Sequence, residues 1–123
     1  MQQPKEPFII NRLKAFKYAF KGAFYLLRTE ASIKVQVFCA LVVCILGFYF
    51  EITTIEWCIQ LLAIALVLAV EGLNSAIEKI ADFVHPDYHK KIGIIKDVSA
   101  GAVTFAAVIA GIIGLLIYIP YLF

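Results

Sequence analysis

At 123 residues the chain has the length of one domain, and its hydrophobic content of 63% exceeds the roughly 45–50% of an ordinary soluble domain. The excess lies in long uncharged runs, and a soluble three-helix core of this size would need polar outer faces that two segments lack, which excludes a soluble enzyme. The net charge of +2 decides little, but no basic patch accompanies a recognition motif, so nucleic acid is not an expected partner.

In chain order, residues 1–7 carry Pro4 and Pro7 and read as a loose tail. From Phe8 to Thr29 the period is helical. Lys14, Lys17, Lys21 and Arg28 share one side with Tyr18 and Tyr25, while Leu13, Phe16, Phe20, Ala23 and Leu27 share the other. A basic amphipathic helix with an aromatic apolar face suits a membrane interface; the competing reading is a helix packed on its own protein's core. This segment is too charged, and ends in no small-residue cleavage site, to read as a cleavable signal peptide.

The first span is expected over 33–50, with Lys34 snorkelling to the interface, since crossing takes about 20 residues and roughly 17 at the least. After the short Glu51–Thr54 connection a second span covers 55–80, and His85-Pro86-Asp87 ends its helix. A cytoplasmic loop is expected over 83–97 and a third span over 98–119, with Pro120 beyond it. The fold class is thus an all-α membrane protein: one surface helix and three transmembrane helices. Cys39, Cys44 and Cys58 form no C-x-x-C and read as buried small hydrophobes.

Seven of the eleven basic residues precede residue 35 and the other four lie between Lys79 and Lys96. The positive-inside rule therefore sets the N-terminus and the 83–97 loop in the cytoplasm and the C-terminus outside. Small residues recur every fourth position at Ala102, Ala106, Ala110 and Gly114, and Ala65, Ala69 and Gly72, four and three apart, form a similar row in the second span. Such rows let helix backbones approach closely, and oligomerisation would bury them.

The strongest local pattern is Glu71-Gly-Leu-Asn-Ser-Ala-Ile-Glu78, followed by Asp82. On a helix Glu71, Asn74, Glu78 and Asp82 fall on one narrow face with Ser75 beside them, and Glu71 and Glu78 are about 10 Å apart along the axis. Ionisable groups in a membrane helix are costly and mark function, although a polar seam between helices needs the same residues. Glu30, Lys96 and Asp97 flank spans at the same membrane boundary. Carboxylates beside phosphates call for a bridging divalent ion, for which Mg²⁺ suits hard oxygen donors, while a lysine offers phosphate a point charge. A carboxylate at the membrane edge suits general-base work. No P-loop, kinase loop set or H-E-x-x-H is present, and His85 and His89 read as a solvated turn.

The string Glu71-x-Leu-Asn74-Ser75-Ala76-Ile77-Glu78-x-x-Ala81-Asp82 resembles the signature of the prokaryotic diacylglycerol kinase family. Tyr18 and Gly22, Glu30, Asp87-Tyr88-His89 and Lys96-Asp97 extend the resemblance from about Arg12 to Tyr118. It implies a homotrimer in the bacterial cytoplasmic (inner) membrane that transfers the γ-phosphoryl group of ATP to a lipid hydroxyl. By position, Glu71 would be the general base, Asn74 would orient it or the substrate, and Glu30 and Glu78 would hold Mg²⁺. Tyr18, Lys96, Asp97 and the loop residues Asp87, Tyr88 and His89 would join Glu30 and Glu78 around the nucleotide.

Two substrate types belong to the family. Diacylglycerol, converted to phosphatidic acid, is the leading expectation, and undecaprenol is the alternative. Lys96-Asp-Val-Ser-Ala-Gly-Ala-Val103 and Glu56-Trp57 look more like the polyprenol kinases of Gram-positive bacteria. Where diacylglycerol kinases tend to have a serine, this chain has Ala100, a position expected to face the lipid with Glu71. A non-catalytic assembly subunit or a small ion pathway would also use the acidic face, but neither explains the rim of Glu30, Lys96 and Asp97.

Overall fold

The computed structural model describes residues 6–123, so most of the proline-bearing tail lies outside the described residues. Four helices follow in order: α1 (Phe8–Thr29), α2 (Ala31–Tyr49), α3 (Thr54–Val84) and α4 (Lys90–Leu122). α2, α3 and α4 are each long and apolar enough to cross a membrane. The chain is therefore a multi-pass helical membrane protein with one additional helix.

α1 begins behind Pro7, whose fixed φ suits a helix start. Its first turn is tied back by Glu6, which accepts from Lys14 at 2.7 Å; that hydrogen bond and the carboxylate's charge raise the Lys14 ammonium above its usual pKa. Leu13, Phe16 and Phe20 are all left uncovered by the rest of the chain. Within one chain this apolar face is therefore not packed on the core, as an interfacial helix would leave it. Only the C-terminal end of α1 docks, where Leu26 is half-buried. An ideal Cβ on Gly72 would lie 3.1 Å from Leu26 Cδ1, so the glycine lets the surface helix close on α3 beside Glu71. One extended residue, Glu30, turns α1 into α2.

At the opposite end α2 stops at a tight turn. Glu51 adopts φ 51°, the left-handed region that an ordinary side chain rarely enters, and the Ile52 N–H donates to the Gly47 carbonyl at 3.1 Å. Thr53 then caps α3 reciprocally: its hydroxyl accepts from the Glu56 N–H, and the Glu56 carboxylate accepts from the Thr53 N–H. Inward from the turn, the Tyr118 hydroxyl reaches Gln60 Oε1 at 2.5 Å and the Val43 carbonyl at 2.7 Å. Tyr121 donates to Glu56 at 2.5 Å. The two bonds of Tyr118 join α2, α3 and α4 in the buried interior, where a polar group is expensive to leave alone, and the Tyr121–Glu56 bond joins α3 and α4 at the exposed end.

α3 and α4 form the most extensive pairing in the chain. At 1.5 Å per residue their 31 and 33 residues run about 46 and 50 Å, well beyond a hydrocarbon core of about 30 Å. Both are thus long enough to reach beyond a bilayer, with Glu78 and Lys96 toward the end where the two helices are joined. The connection expected over 83–97 is consequently much shorter: only His85–His89 is non-helical, and α4 starts at Lys90 rather than 98. Residues 90–97 hold no proline, and the ion pair from Lys96 to Asp82 at 2.6 Å ties the two extensions together. Pro120 falls inside the last turn of α4 rather than after it.

Two sequence expectations about packing are corrected. Cys39 and Cys58 are exposed on their helices and Cys44 is half-buried, because three helices cover only a stripe of one another. The row of small residues also divides. Ala106 is buried within the chain, and Ala110 and Gly114 line a cavity of about 360 Å³ between α2, α3 and α4, whereas Ala102, Ala65 and Ala69 face outward.

Candidate active site

The acidic face of α3 turns inward. Glu71, Asn74 and Ser75 are buried, Glu71 and Asn74 to 7% exposure, and Glu78 one turn on is half-buried. Asn74 Nδ2 reaches Glu78 Oε1 at 3.5 Å, a long contact, and Asn74 Oδ1 is buried with no hydrogen-bond partner. Among the described residues the Glu71 carboxylate forms no ion pair. An uncompensated amide oxygen beside a buried carboxylate is costly in a bilayer, and such groups are retained where a ligand satisfies them.

Glu30 lies at the α1–α2 corner. Its carboxylate caps none of the α2 N–H groups and instead meets Lys79 Nζ at 3.1 Å. The Lys79 ammonium also sits 5.6 Å from the centre of the Tyr25 ring. Lys79 had no assigned part in the sequence pattern. It lies one residue beyond Glu78, off the acidic face, and the fold of α1 onto α3 is what makes it Glu30's partner.

The remaining expected residues spread around this centre. Lys96 is held by Asp82, while Asp97 is exposed on α4. Tyr18 is exposed on α1, well before its docked end. In the loop, Asp87 and Tyr88 are exposed, and His89 Nδ1 accepts from the Lys91 N–H at 3.1 Å to cap α4. The two histidine rings stack edge to face at 5.2 Å, and His85 Nδ1 contacts the Asp87 carbonyl at 2.7 Å. Ala100 is exposed on α4, with Ser99 beside it buried. The chain therefore sets Glu71, Asn74 and Glu78 along one face of α3, pairs Glu30 with Lys79 of the same helix, and leaves Tyr18, Asp97 and the loop exposed or apart from them.

The sequence profile of the prokaryotic diacylglycerol kinase family matches residues 17–118, which takes in every one of these positions. The chain belongs to that family. It is 40% identical to the undecaprenol kinase of Bacillus subtilis over 92% of its own length and 93% of that protein's. Identity to the diacylglycerol kinase of Synechocystis is 33%, over 89% of this chain and 63% of the relative. To the diacylglycerol kinase of Escherichia coli it is 30%, over 80% of each. Membership brings the class of activity with it: the chain is a lipid kinase of the membrane.

As for a metal, no group of three acidic, histidine or cysteine side chains converges to hold an ion among the described residues. Mg²⁺ does not ask for such a cage, because it is commonly held through one or two carboxylates together with substrate phosphates. Glu78 and the unpartnered Asn74 oxygen are hard donors of that kind and fit the ion, and Glu30, paired here with Lys79, is a further carboxylate of the same chemistry.

Proposed function

We propose that this kinase transfers the γ-phosphoryl group of ATP to the hydroxyl of a membrane lipid alcohol, with a polyprenol of the undecaprenol type as the favoured acceptor and diacylglycerol as the second. The observation that carries the reading is the buried Glu71 beside the unsatisfied Asn74 oxygen, on a helix face that leaves the bilayer toward Glu78. The weight toward a polyprenol comes from the likeness to the undecaprenol kinase, which is higher and longer than that to the diacylglycerol kinases.

In this mechanism the lipid hydroxyl lies at Glu71, whose carboxylate takes its proton as the oxygen attacks the γ-phosphorus and ADP leaves. Asn74 would orient Glu71 or the incoming hydroxyl, its side-chain N–H donating to the oxygen it holds. Glu30 and Glu78 would hold Mg²⁺, which would supply positive charge to offset that of the phosphate oxygens. Lys96 exchanges Asp82 for a phosphate oxygen, and Asp97 with the loop of Asp87, Tyr88 and His89 borders the nucleotide. Ala100 contacts the lipid.

Purified protein given ATP-Mg²⁺ with undecaprenol and with diacylglycerol side by side is expected to show the higher kcat/KM on undecaprenol. The reverse ratio would make diacylglycerol the substrate, and transfer to neither would end the kinase reading of this site. The proposal takes three chains as the working unit, with Ala65, Ala69 and Ala102 among the surfaces they cover; a native mass of three chains is expected in the active preparation, against which an active monomer would count. It takes the N-terminus and the site to be cytoplasmic, as the basic residues indicate. A cytoplasm-dependent reporter fused after Phe123 is then expected to stay silent, and a strong signal would reverse that orientation.

A further inference from the structure

The mechanism above asks Glu30 for a free carboxylate, yet the structure gives that carboxylate to Lys79 at 3.1 Å. The pairing is built from two sides. Glu30 is the single extended residue between α1 and α2, so two helices fix where its side chain starts. Lys79 is held on its other flank by the Tyr25 ring. The Glu30 side chain is 24% exposed and that of Lys79 52%, so the ammonium stands at the open side of the carboxylate.

We propose that Lys79 makes metal binding at Glu30 conditional on the nucleotide. This rests on the reading of Glu30 and Glu78 as carboxylates that hold the ion with ATP. A bare divalent cation arriving at Glu30 has to displace an ammonium and then remain near it, and like charges at such distances repel. A metal–triphosphate complex carries net negative charge. The phosphate oxygens can receive the displaced Lys79, which then changes partner rather than losing one. Glu30 is thereby kept neutralised until the substrate complex arrives, and free metal does not fill the site ahead of it. Lys79 acts as a positioning residue for Glu30.

The test is binding of Mn²⁺, followed by the electron paramagnetic resonance signal of the free ion, with and without a non-hydrolysable ATP analogue. Wild-type protein, Lys79→Gln, Lys79→Arg and Glu30→Gln are compared in detergent. Lys79 is half-exposed on a helix surface, so neither substitution disturbs packing. In Lys79→Gln the affinity for Mn²⁺ alone is expected to rise about three- to tenfold, the scale of a partly screened charge interaction, while the gain from adding nucleotide shrinks. Lys79→Arg keeps the charge and is expected to follow wild type; Glu30→Gln is expected to bind Mn²⁺ alone no better than wild type. Unchanged Mn²⁺ affinity in Lys79→Gln, with wild type showing nucleotide-dependent binding, would overturn the role of Lys79 alone. Wild-type protein with neither nucleotide-dependent Mn²⁺ binding nor lipid phosphorylation would overturn the kinase reading of the site and this inference with it.

Discussion

Glu71→Gln is expected to lower kcat by about 10²–10⁴-fold, the range that general-base assistance supplies, while leaving the affinity for ATP-Mg²⁺ near that of wild type. Depth is the reason. α3 runs from Thr54 at the turn after α2, and about 20 residues of helix are enough to cross the hydrocarbon, which would put Glu71 close to the opposite boundary. Glu78 lies about 10 Å further along the axis, on the side from which nucleotide would come in the proposed orientation. A lipid alcohol at the headgroup level meets Glu71 first. Burial to 7% exposure also keeps water from competing for the carboxylate. Glutamine keeps the shape and removes the acceptor of the proton. Turnover and nucleotide affinity measured on one folded preparation decide the matter: near-normal turnover would remove Glu71 from the chemistry and leave it as part of a polar packing seam.

The second large effect is on stability and is expected from Gly47→Val. A Cβ built on Gly47 falls 2.8 Å from Trp57 Cζ2, 2.9 Å from Cη2 and 3.2 Å from Ile52 Cδ1. The indole is rigid, packs against Phe48 at a ring separation of 4.8 Å, and has little room to retreat. Overpacking of this kind costs about 1–3 kcal/mol, and valine adds two further methyl groups to the collision. Gly93→Ala is the matched control, because a Cβ there meets nothing within 4 Å and the helix gains about 0.5–1 kcal/mol over glycine. Thermal inactivation in detergent is expected to move down for Gly47→Val and to stay level or rise for Gly93→Ala. Trp57 is the chain's single tryptophan, so its emission reports the same displacement directly. An unshifted midpoint with unshifted emission would show that the α2–α3 turn can open at no cost.

Both predictions bear on how far the sequence carried. The acidic face was legible because helical spacing alone aligns Glu71, Asn74 and Glu78, and the structure buries the first two. Lys96 was legible as a charge at the boundary, but its Asp82 partner lies on another helix, and no spacing rule pairs residues 14 positions apart across a loop. Gly47 carried no signal at all. Its importance comes from Trp57 folding back over it after the left-handed Glu51, a meeting decided by the turn and not by either residue.

The sequence by itself determined the helical membrane architecture, the acidic face of α3 and the family whose signature that face carries. These follow from period, hydropathy and local spacing, which are properties of one helix at a time. Only the tertiary structure decided that α1 leaves its aromatic face uncovered while docking its last turn on Gly72, that α4 begins at Lys90, and that half of the small-residue row is spent inside the chain. It also decided the bonds from Tyr118 to Gln60 and Val43 and from Lys79 to Glu30. Each of these joins separate helices, and which side chains meet there depends on how the helices are rotated and offset against one another, a choice made by packing that no single helix's pattern contains.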